Sequence, residues 1–370
     1  GASGDLAPLA HLSLPLIGEG KVRYEGQIIS GMDALAIIGE EPIELAPKEG
    51  LALINGTQVS TAIAFHHLLQ AQKLLTAGVI ISALSVDAAL GTHLAFHPAI
   101  HEARGQSGQI VVAKLLRDLL VGSEILASHA NCGRVQDPYC IRCQPQVVGA
   151  SLDNILHVQN ILLKEANAVT DNPLIFTDID RILSGGNFHA EPVAQAADIL
   201  AIALSEVGAI AERRIALLVD PHFNGGLPAF LVENPGINSG FMIAHVTAAA
   251  LASANKSLSH PASVDSLPTS ANQEDHVSMA TYAAFLLKDI IENVQEILAV
   301  ELLTACQGVD LRKPLNTSPK LAEILAQLRE DVTFWSEDRL LCTDIEKAQS
   351  IVMQIGADNW HLIFAEKKEH

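Results

Sequence analysis

Residues 191–219 read EPVAQAADILAIALSEVGAIAERRIALLV, and Ala, Leu, Ile and Val dominate this stretch. Pro192 stands where the first turn of a helix tolerates proline, because the amide hydrogen it lacks has no partner there. Asp220 followed by Pro221 ends the pattern, since proline cannot continue a helix. The stretch therefore predicts one long helix from Glu191 to Val219.

The same aliphatic pattern predicts further helices in the rest of the chain. They are expected at Val59 to about Leu90, Ser151–Val169, Phe241 to about Ser257, and Ser270–Cys306, the last opened by the capping box Ser270-Ala271-Asn272-Gln273. A short hairpin is expected within 21–50. We predict an all-α fold of long antiparallel helices in a central bundle. Residues 1–370 would form one helical domain, with catalytic loops in 1–145, the long-helix bundle in 150–306 and C-terminal helices in 307–370.

Composition and charge limit the classes of function. Of the 370 residues, 49% are hydrophobic but only 4% are aromatic, which is typical of packed aliphatic helices. Asp and Glu number 42 against 23 Lys and Arg, for a net charge of -19. A chain this acidic is unsuited to nucleic acid or to an anionic membrane surface. The apolar run in 199–219 is broken by charged residues, so we expect a soluble, cytoplasmic protein.

Cysteine and histidine spacing gives little support for a metal site. Five cysteines in a long chain indicate free thiols in a reducing compartment. Cys140 and Cys143 form a CxxC without a second pair, so we interpret them as helix-wall residues. His93, His97 and His101 recur every four residues, but Pro98 interrupts the helix that would align them. Loop and core histidines are the favoured interpretation, and no metal is expected.

The segment VQDPYCIRCQPQ, residues 135–146, suits the binding of a carboxylate. Asp137 followed by Pro138 predicts a helix N-cap and first position. Tyr139 and Arg142 would then share a face of the first turn, with Gln136 just outside the cap. A guanidinium beside a helix N-terminus is a good seat for a carboxylate. The alternative is that Arg142 pairs with a neighbouring acid and Tyr139 only packs.

Two other polar clusters allow both a structural and a functional interpretation. In SANQEDHVSM, residues 270–279, Glu274 and Asp275 either compensate a helix dipole or include an active-site carboxylate. Asn55 in LINGTQ is either a turn residue or a ligand-binding one. The opening GASGDLAPLAH places three small residues at 2–4. They belong either to a flexible end or to a backbone segment that must stay small.

Six motifs occur together and in a fixed order. They are GASGDLAPLAH, LINGTQ, VQDPYCIRCQPQVVGA, TDNPL, GGNFHAEPVA and TSANQEDHVSM. With them the sequence resembles the histidine ammonia-lyase family, within the aromatic amino acid lyases. The resemblance implies an aspartase/fumarase-like architecture and a homotetramer whose active sites combine residues from three subunits. It also implies the deamination of L-histidine to trans-urocanate and ammonia, the first step of histidine degradation.

The resemblance further implies a built-in prosthetic group. Ala2, Ser3 and Gly4 would cyclise into 4-methylidene-imidazol-5-one (MIO), and Asp5 would assist the cyclisation. The amide nitrogen of Gly4 must reach the carbonyl carbon of Ala2, which explains why these residues are small. No metal and no pyridoxal phosphate are expected. Whether the substrate amine or its imidazole ring adds to the methylidene stays open.

By the same resemblance, individual residues take roles in the site. Arg142 would hold the substrate carboxylate, whereas the catalytic Tyr139 and Asn55 would line the MIO and the amine. Gln136 and Phe188 would shape the pocket. Cys140 stands where the family more often has Ser, a change of similar volume.

Glu274 bears on the choice of substrate. It would meet the substrate imidazole, whereas the phenylalanine and tyrosine lyases have Gln at that place, since a carboxylate facing an apolar ring is costly. Family members also carry a region before the triad, with a loop tyrosine taken as the base, so we expect this chain to need such an N-terminal segment. A non-catalytic helical scaffold and a sibling aromatic amino acid lyase or aminomutase are the alternatives.

Overall fold

A computed structural model describes residues 4–130 and 133–365, and within these ranges the chain is predominantly helical, which confirms the all-α prediction. The α-helices are α1 Leu6–Ser13, α2 Gly31–Ile38, α3 Glu49–Ile54, α4 Gln58–Ala88, α5 Pro98–Arg104, α6 Ser107–Leu120, α7 Glu124–Ser128, α8 Tyr139–Arg142, α9 Gln144–Ala166, α10 Glu191–Val219, α11 Met242–Leu258, α12 Ala280–Asp310, α13 Pro319–Asp331, α14 Cys342–Asp358 and α15 His361–Phe364. Two antiparallel hairpins pair β1 Lys21–Tyr24 with β2 Gln27–Ser30 and β3 Leu174–Phe176 with β4 Arg181–Leu183. Ala2 and Ser3 of the predicted triad lie outside the described residues.

Most long helices lie close to their predicted positions. α10 has the predicted bounds, and α4 and α11 begin and end within two residues of theirs. α9 begins earlier than predicted, at Gln144, because Pro145 is tolerated in a first turn. The predicted hairpin is the β1–β2 pair.

The predicted start of the longest C-terminal helix is wrong by ten residues. α12 begins at Ala280 instead of Ser270, and the predicted capping box is a single 3₁₀ turn at 270–272. Ser270, Ala271 and Asn272 have φ of 49°, 55° and 67°, a left-handed conformation that no α-helix can contain. A bridge between Thr269 and Glu274 closes this turn. The folded loop therefore overrides the local preference for a helix cap.

The chain divides into two compact units, each assembled from three stretches. The first comprises Gly1–His67, Val158–Asp198 and Pro261–Leu287, and the second comprises Leu68–His157, Ile199–His260 and Lys288–His370. In the first unit, α1 packs against α3, and the Ser30 hydroxyl caps α2 by accepting from the Asp33 amide at 3.1 Å. In α10, Ile199 begins the part that belongs to the second unit.

The second unit has an aliphatic core with one buried ion pair. Leu, Ile, Val and Ala of α4, α6, α10 and α12 fill it. α6 and α9 approach so closely that a Cβ on Gly108 would lie 2.2 Å from the carbonyl oxygen of Gly149. Arg214 and Glu301 form a bidentate ion pair, and their side chains are 1% and 0% exposed. Glu301 Oε1 also accepts from the Ser85 hydroxyl at 2.7 Å.

Among the described residues, two helical stretches are long and apolar enough to cross a membrane. They are Glu49–Ala88 and Glu191–Val219, with mean hydropathies of 1.4 and 1.6. Within their apolar windows, 83% and 67% of the residues are buried inside the protein, as in the core helices of soluble proteins. Their length and composition are therefore weak support for a membrane span.

Candidate active site

The backbone at Gly4 leaves no room for a side chain. Gly4 has a φ of +79°, and a Cβ there would lie 2.4 Å from the carbonyl oxygen of Gly56. The next residue, Asp5, donates its amide hydrogen to that same oxygen at 2.7 Å. The end of the predicted triad is thus fixed against the LINGTQ segment within the first unit.

The Asp5 carboxylate is buried and fully engaged. It is 2% exposed. Its Oδ2 accepts from the amide and the hydroxyl of Ser60, at 2.7 and 2.9 Å, and its Oδ1 accepts from the Thr281 hydroxyl at 2.7 Å. Three donors on a buried carboxylate fix its direction. Asp5 is therefore held rigidly next to Gly4.

Asn55 is held by residues more than a hundred positions away in sequence. It is 5% exposed, and its Nδ2 donates to Asp171 Oδ1 at 3.2 Å and to the carbonyl oxygen of Asn172 at 3.1 Å. Asp171 also forms an ion pair with Lys48. Burial acts to raise the pKa of Asp171, but hydrogen bonds from Lys48, the Asn172 amide and Asn55 lower it on balance. The side chain of Asn55 is therefore positioned beside a carboxylate.

Glu274 lies in a loop and not at the start of a helix, which corrects the dipole interpretation as well as the helix itself. Its Oε2 accepts from the hydroxyls of Thr269 at 3.0 Å and Ser270 at 2.6 Å. The loop that presents it contains the three consecutive residues 270–272 with positive φ, none of them glycine. Such strain is costly and clusters at functional sites. The carboxylate of Glu274 is thus presented by an unusual, well-connected turn.

Phe188 is half-buried in the first unit and is followed by a histidine pair. The rings of His189 and His276 lie 5.4 Å apart, and His189 Nε2 lies 3.2 Å from the carbonyl oxygen of His276. His276 follows Glu274 by two positions. The pair therefore connects the Phe188 segment with the Glu274 loop.

In the second unit, Tyr139 and Arg142 do share a face, as predicted. Both belong to the four-residue α8, and the guanidinium carbon of Arg142 lies 4.7 Å from the centre of the Tyr139 ring. Arg142 Nη2 donates to Gln136 Oε1 at 3.1 Å, and its Nε donates to the carbonyl oxygen of Asp137 at 3.0 Å. Tyr139 is 71% exposed, so its phenol is open to a ligand.

The predicted N-cap role of Asp137 is wrong. Pro138 occupies the N-cap of α8, without a side-chain capping bond. The Asp137 carboxylate accepts instead from the Thr92 amide at 2.7 Å and from Arg134 Nη1 at 3.1 Å. Both partners lie before Asp137 in the chain, so the carboxylate is engaged by earlier residues and not by the helix that it was predicted to cap.

A cavity of about 460 Å³ opens beside Arg142 within the second unit. Its lining includes Arg134, Gln136, Asp137, Arg142 and His129. Two guanidinium groups in the wall suit the binding of an anion such as a carboxylate. The volume is of the size that small-molecule sites have.

The regularly spaced histidines do not share one helix. His97 caps α5 by accepting from the Ala99 amide at 3.3 Å, and His101 is buried, with Nε2 3.1 Å from the carbonyl oxygen of Ala95. In the described parts of the chain, no group of three His, Cys, Asp or Glu residues could hold a metal ion. Cys140 and Cys143 are free thiols, and burial raises the pKa of Cys140.

Sequence reasoning missed the residues that hold the predicted ones in place. Ser60 and Thr281 hold Asp5, Asp171 holds Asn55, and Arg134 holds Asp137. Asp171 stands in the TDNPL motif, so its position was a usable signal. Ser60 and Thr281 lie on apolar helices, where a small hydroxyl residue gives no such signal.

Comparisons with known proteins identify the family. The family model described as aromatic amino acid lyase matches residues 1–330. The chain is 61% identical to histidine ammonia-lyase of Shewanella woodyi, over 95% of this chain and 69% of that protein. It is 58% identical to histidine ammonia-lyase of Vibrio cholerae, over 97% of this chain and 70% of that protein. Among solved structures, histidine ammonia-lyase from Trypanosoma cruzi shows a TM-score of 0.89 at 43% identity, covering 100% of this chain and 73% of that one. Tyrosine aminomutase from Streptomyces globisporus shows a TM-score of 0.90 at 35% identity, covering 100% of this chain and 74% of that one.

Proposed function

Since the chain belongs to the aromatic amino acid lyase family, we propose that it eliminates ammonia from L-histidine to give trans-urocanate. The observation that carries the substrate is Glu274, whose carboxylate is held by two hydroxyl donors in a strained loop. A fixed carboxylate is a good acceptor for an imidazole N–H and a poor neighbour for an apolar ring. The relatives of highest identity named above are histidine ammonia-lyases.

The residues around Gly4 fit the MIO group, which we propose forms from Ala2, Ser3 and Gly4. Ring closure needs the amide nitrogen of Gly4 to be held in place, and Gly4 packs so closely on Gly56 that a Cβ would lie 2.4 Å from the Gly56 oxygen. When bound, MIO supplies an electrophilic carbon that withdraws electrons from the substrate. Asp5, held by three donors, would orient the backbone of the triad. No metal or pyridoxal phosphate is part of the proposal.

The second-unit residues would bind the amino acid end of the substrate. Arg142 keeps Nη1 without a hydrogen-bond partner among the described residues, so it can donate to a carboxylate. Gln136 would fix the plane of this guanidinium. Tyr139 would hold or transfer a proton at its exposed phenolic oxygen.

The first-unit residues would bind the remaining groups. Asn55 would orient the amine through its side-chain oxygen, because its Nδ2 already donates to Asp171 and Asn172. Phe188 would pack against the imidazole ring. The resemblance implies that Asn55 lines the MIO and the amine and that Phe188 shapes the pocket, and these proposed contacts make both roles specific.

Assembly and location are also proposed from the described surface. Ile175, Ile179 and Ile182 of the β3–β4 hairpin are 57%, 56% and 69% exposed. Apolar side chains grouped in this way are typical of an interface and support the proposed homotetramer. The free thiols at Cys140, Cys143, Cys306 and Cys342 support a reducing, cytoplasmic location.

A substrate comparison tests the proposal. The protein that carries this sequence is supplied with L-histidine, L-phenylalanine or L-tyrosine, and product is followed by its near-ultraviolet absorbance. Histidine should react fastest, and Glu274→Gln should lower kcat/KM for histidine by about 10- to 100-fold, the worth of a charge-assisted hydrogen bond. Asp275→Asn, which removes the exposed neighbouring charge, is the control and should change it little. Faster turnover of phenylalanine or tyrosine would favour the sibling lyase or aminomutase activity, and no turnover would favour the scaffold.

A further inference from the structure

The C-terminal end of α4 is surrounded by basic side chains. The carbonyl oxygen of Ala88 accepts from Arg312 Nε and Nη2, at 3.0 and 2.7 Å. The next two carbonyl oxygens accept from Arg134 Nη1 at 3.3 and 3.5 Å, and the Gly91 oxygen lies 3.0 Å from His129 Nε2. The last carbonyls of a helix lack partners in the helix and carry its negative dipole end, so this arrangement is stable.

Arg312 remains charged in this arrangement. Burial, together with the nearby positive charge of Arg134, lowers the pKa of Arg312 to about 10, which is still well above neutral. Arg134 is only partly buried, with 32% of its side chain exposed. The end of α4 is therefore a fixed anchor for positive charge.

From this anchor, a chain of hydrogen bonds leads to Arg142. Arg134 Nη1 donates to Asp137 Oδ1 at 3.1 Å, while the Thr92 amide holds Oδ2 at 2.7 Å. The backbone oxygen of Asp137 then accepts from Arg142 Nε at 3.0 Å. The side chain of Asp137 is only 2% exposed, so water competes little for these bonds.

We propose that Arg134 and Asp137 are positioning residues that direct the Arg142 guanidinium towards the substrate carboxylate. The inference rests on the proposed function, because it takes Arg142 as the carboxylate-binding residue. Two physical effects contribute. The backbone of Asp137 fixes the Nε edge of Arg142, and Arg134 neutralises the Asp137 carboxylate, which would otherwise be an internal anion competing with substrate for Arg142.

The two effects predict different increases in KM for histidine in two variants. Arg134→Gln removes the neutralising charge and frees the Asp137 carboxylate to pair with Arg142. Asp137→Asn keeps the backbone oxygen that holds Arg142 and removes the competing charge, but it loses the ion pair with Arg134 that fixes residue 137. We expect KM for histidine to rise about 100-fold in the first and about tenfold in the second, since small misplacements of a binding group have effects of this order. In both variants kcat should fall less than KM rises.

The experiment compares ligands with and without a carboxylate. Inhibition constants are measured for urocanate, which has one, and for histamine, which lacks it. In Arg134→Gln, urocanate should bind about 100-fold more weakly, whereas histamine should change less than about twofold. In a double-mutant cycle with Arg142→Ala, the Arg134→Gln change should add less than about twofold to the loss of urocanate binding.

A matched pair elsewhere in the second unit provides the control. Arg339 and Asp344 form an ion pair of similar burial, with side chains 30% and 9% exposed, that does not contact Arg142. Arg339→Gln should leave KM and both inhibition constants unchanged. If Arg134→Gln does not fold, Asp137→Asn carries the same comparison with Asp344→Asn as its control.

Equal weakening of urocanate and histamine, or full additivity in the cycle, would overturn the inference. Unchanged urocanate binding in Arg134→Gln would do so as well, provided that Arg142→Ala weakens it. If Arg142→Ala itself leaves urocanate binding unchanged, or histidine is not a substrate, the failure lies in the proposed function.

Discussion

Replacing Gly4 by alanine tests two effects on stability: the cost of a positive φ and the cost of crowding against Gly56. A control glycine with a similar φ and no crowding separates them. A positive φ costs a non-glycine residue about 1–2 kcal/mol. The new Cβ would also lie 2.4 Å from the Gly56 oxygen, where ordinary contacts begin at 3.4 Å, so the backbone must move by about 1 Å. That movement breaks the 2.7 Å hydrogen bond from the Asp5 amide to Gly56, and a buried amide left without a partner costs about 1–3 kcal/mol more.

Gly39→Ala is the matched control. Gly39 has a φ of +73°, close to that of Gly4, but a Cβ there would meet no atom within 4 Å. Gly39→Ala should therefore lower the free energy of unfolding by about 1–2 kcal/mol, and Gly4→Ala by about 2–5 kcal/mol. Urea denaturation followed by circular dichroism measures both.

Intact mass supplies the decisive measurement. Formation of MIO removes two waters, so the mature chain should weigh about 36 Da less than its sequence mass. Gly39→Ala should show the full loss, because a Cβ there meets no atom within 4 Å and so displaces no neighbour. Gly4→Ala should retain most of the water, because the displaced backbone moves the Gly4 amide nitrogen that closes the ring. A complete mass loss in Gly4→Ala would refute the argument that crowding at Gly4 promotes cyclisation.

Three further outcomes follow from other features of the molecule. Ser3→Ala should abolish urocanate formation without changing the circular dichroism spectrum, since it removes the atom that becomes the methylidene; full activity would contradict the MIO proposal. Glu301→Gln should lower the free energy of unfolding by about 3–5 kcal/mol in urea denaturation, because it leaves buried Arg214 unpaired, and a change under about 1 kcal/mol would contradict this. Burial lowers the pKa of His101 below 6.5, so the folded protein favours the neutral ring, whose Nδ1 lies 2.8 Å from Gln109 Nε2. Stability from this site is complete above pH 6.5 and falls below it, and His101→Gln should reduce the loss of urea stability between pH 7 and pH 5.

Elements whose ends depend on residues close in sequence were predicted accurately, whereas elements that depend on tertiary contacts were not. α10 was predicted at its observed bounds because Pro192 and the Asp220-Pro221 pair act within a turn of its ends. The segment at Ser270 carried an equally good local signal, yet its backbone is left-handed and is closed by Glu274. A capping pattern states a preference worth about 1 kcal/mol, which tertiary structure can override.

The predictions for the candidate site also depend on how far apart in sequence the interacting residues lie. The face shared by Tyr139 and Arg142 needs only helical spacing, and it was predicted. The partners of Asn55 and Asp5 come from segments distant in sequence, and periodicity carries no information about such pairings. Asp137 was assigned to the helix after it, whereas its carboxylate bonds to residues before it. The resemblance to a family implied roles for individual residues but not which residues hold them.

The bonds to Asp5 also bear on when, during synthesis, this carboxylate can be held. Ser60 follows Asp5 by 55 positions and Thr281 by 276. At about 5–20 residues per second, a ribosome needs roughly 15–55 s to pass from the first of these three residues to the last. During this time a nascent chain carries the motif without the hydroxyl that completes the surroundings of Asp5. Maturation of that motif should therefore wait until Thr281 has been synthesised, and a ribosome-bound chain stalled before Thr281 should still have its full unmodified mass.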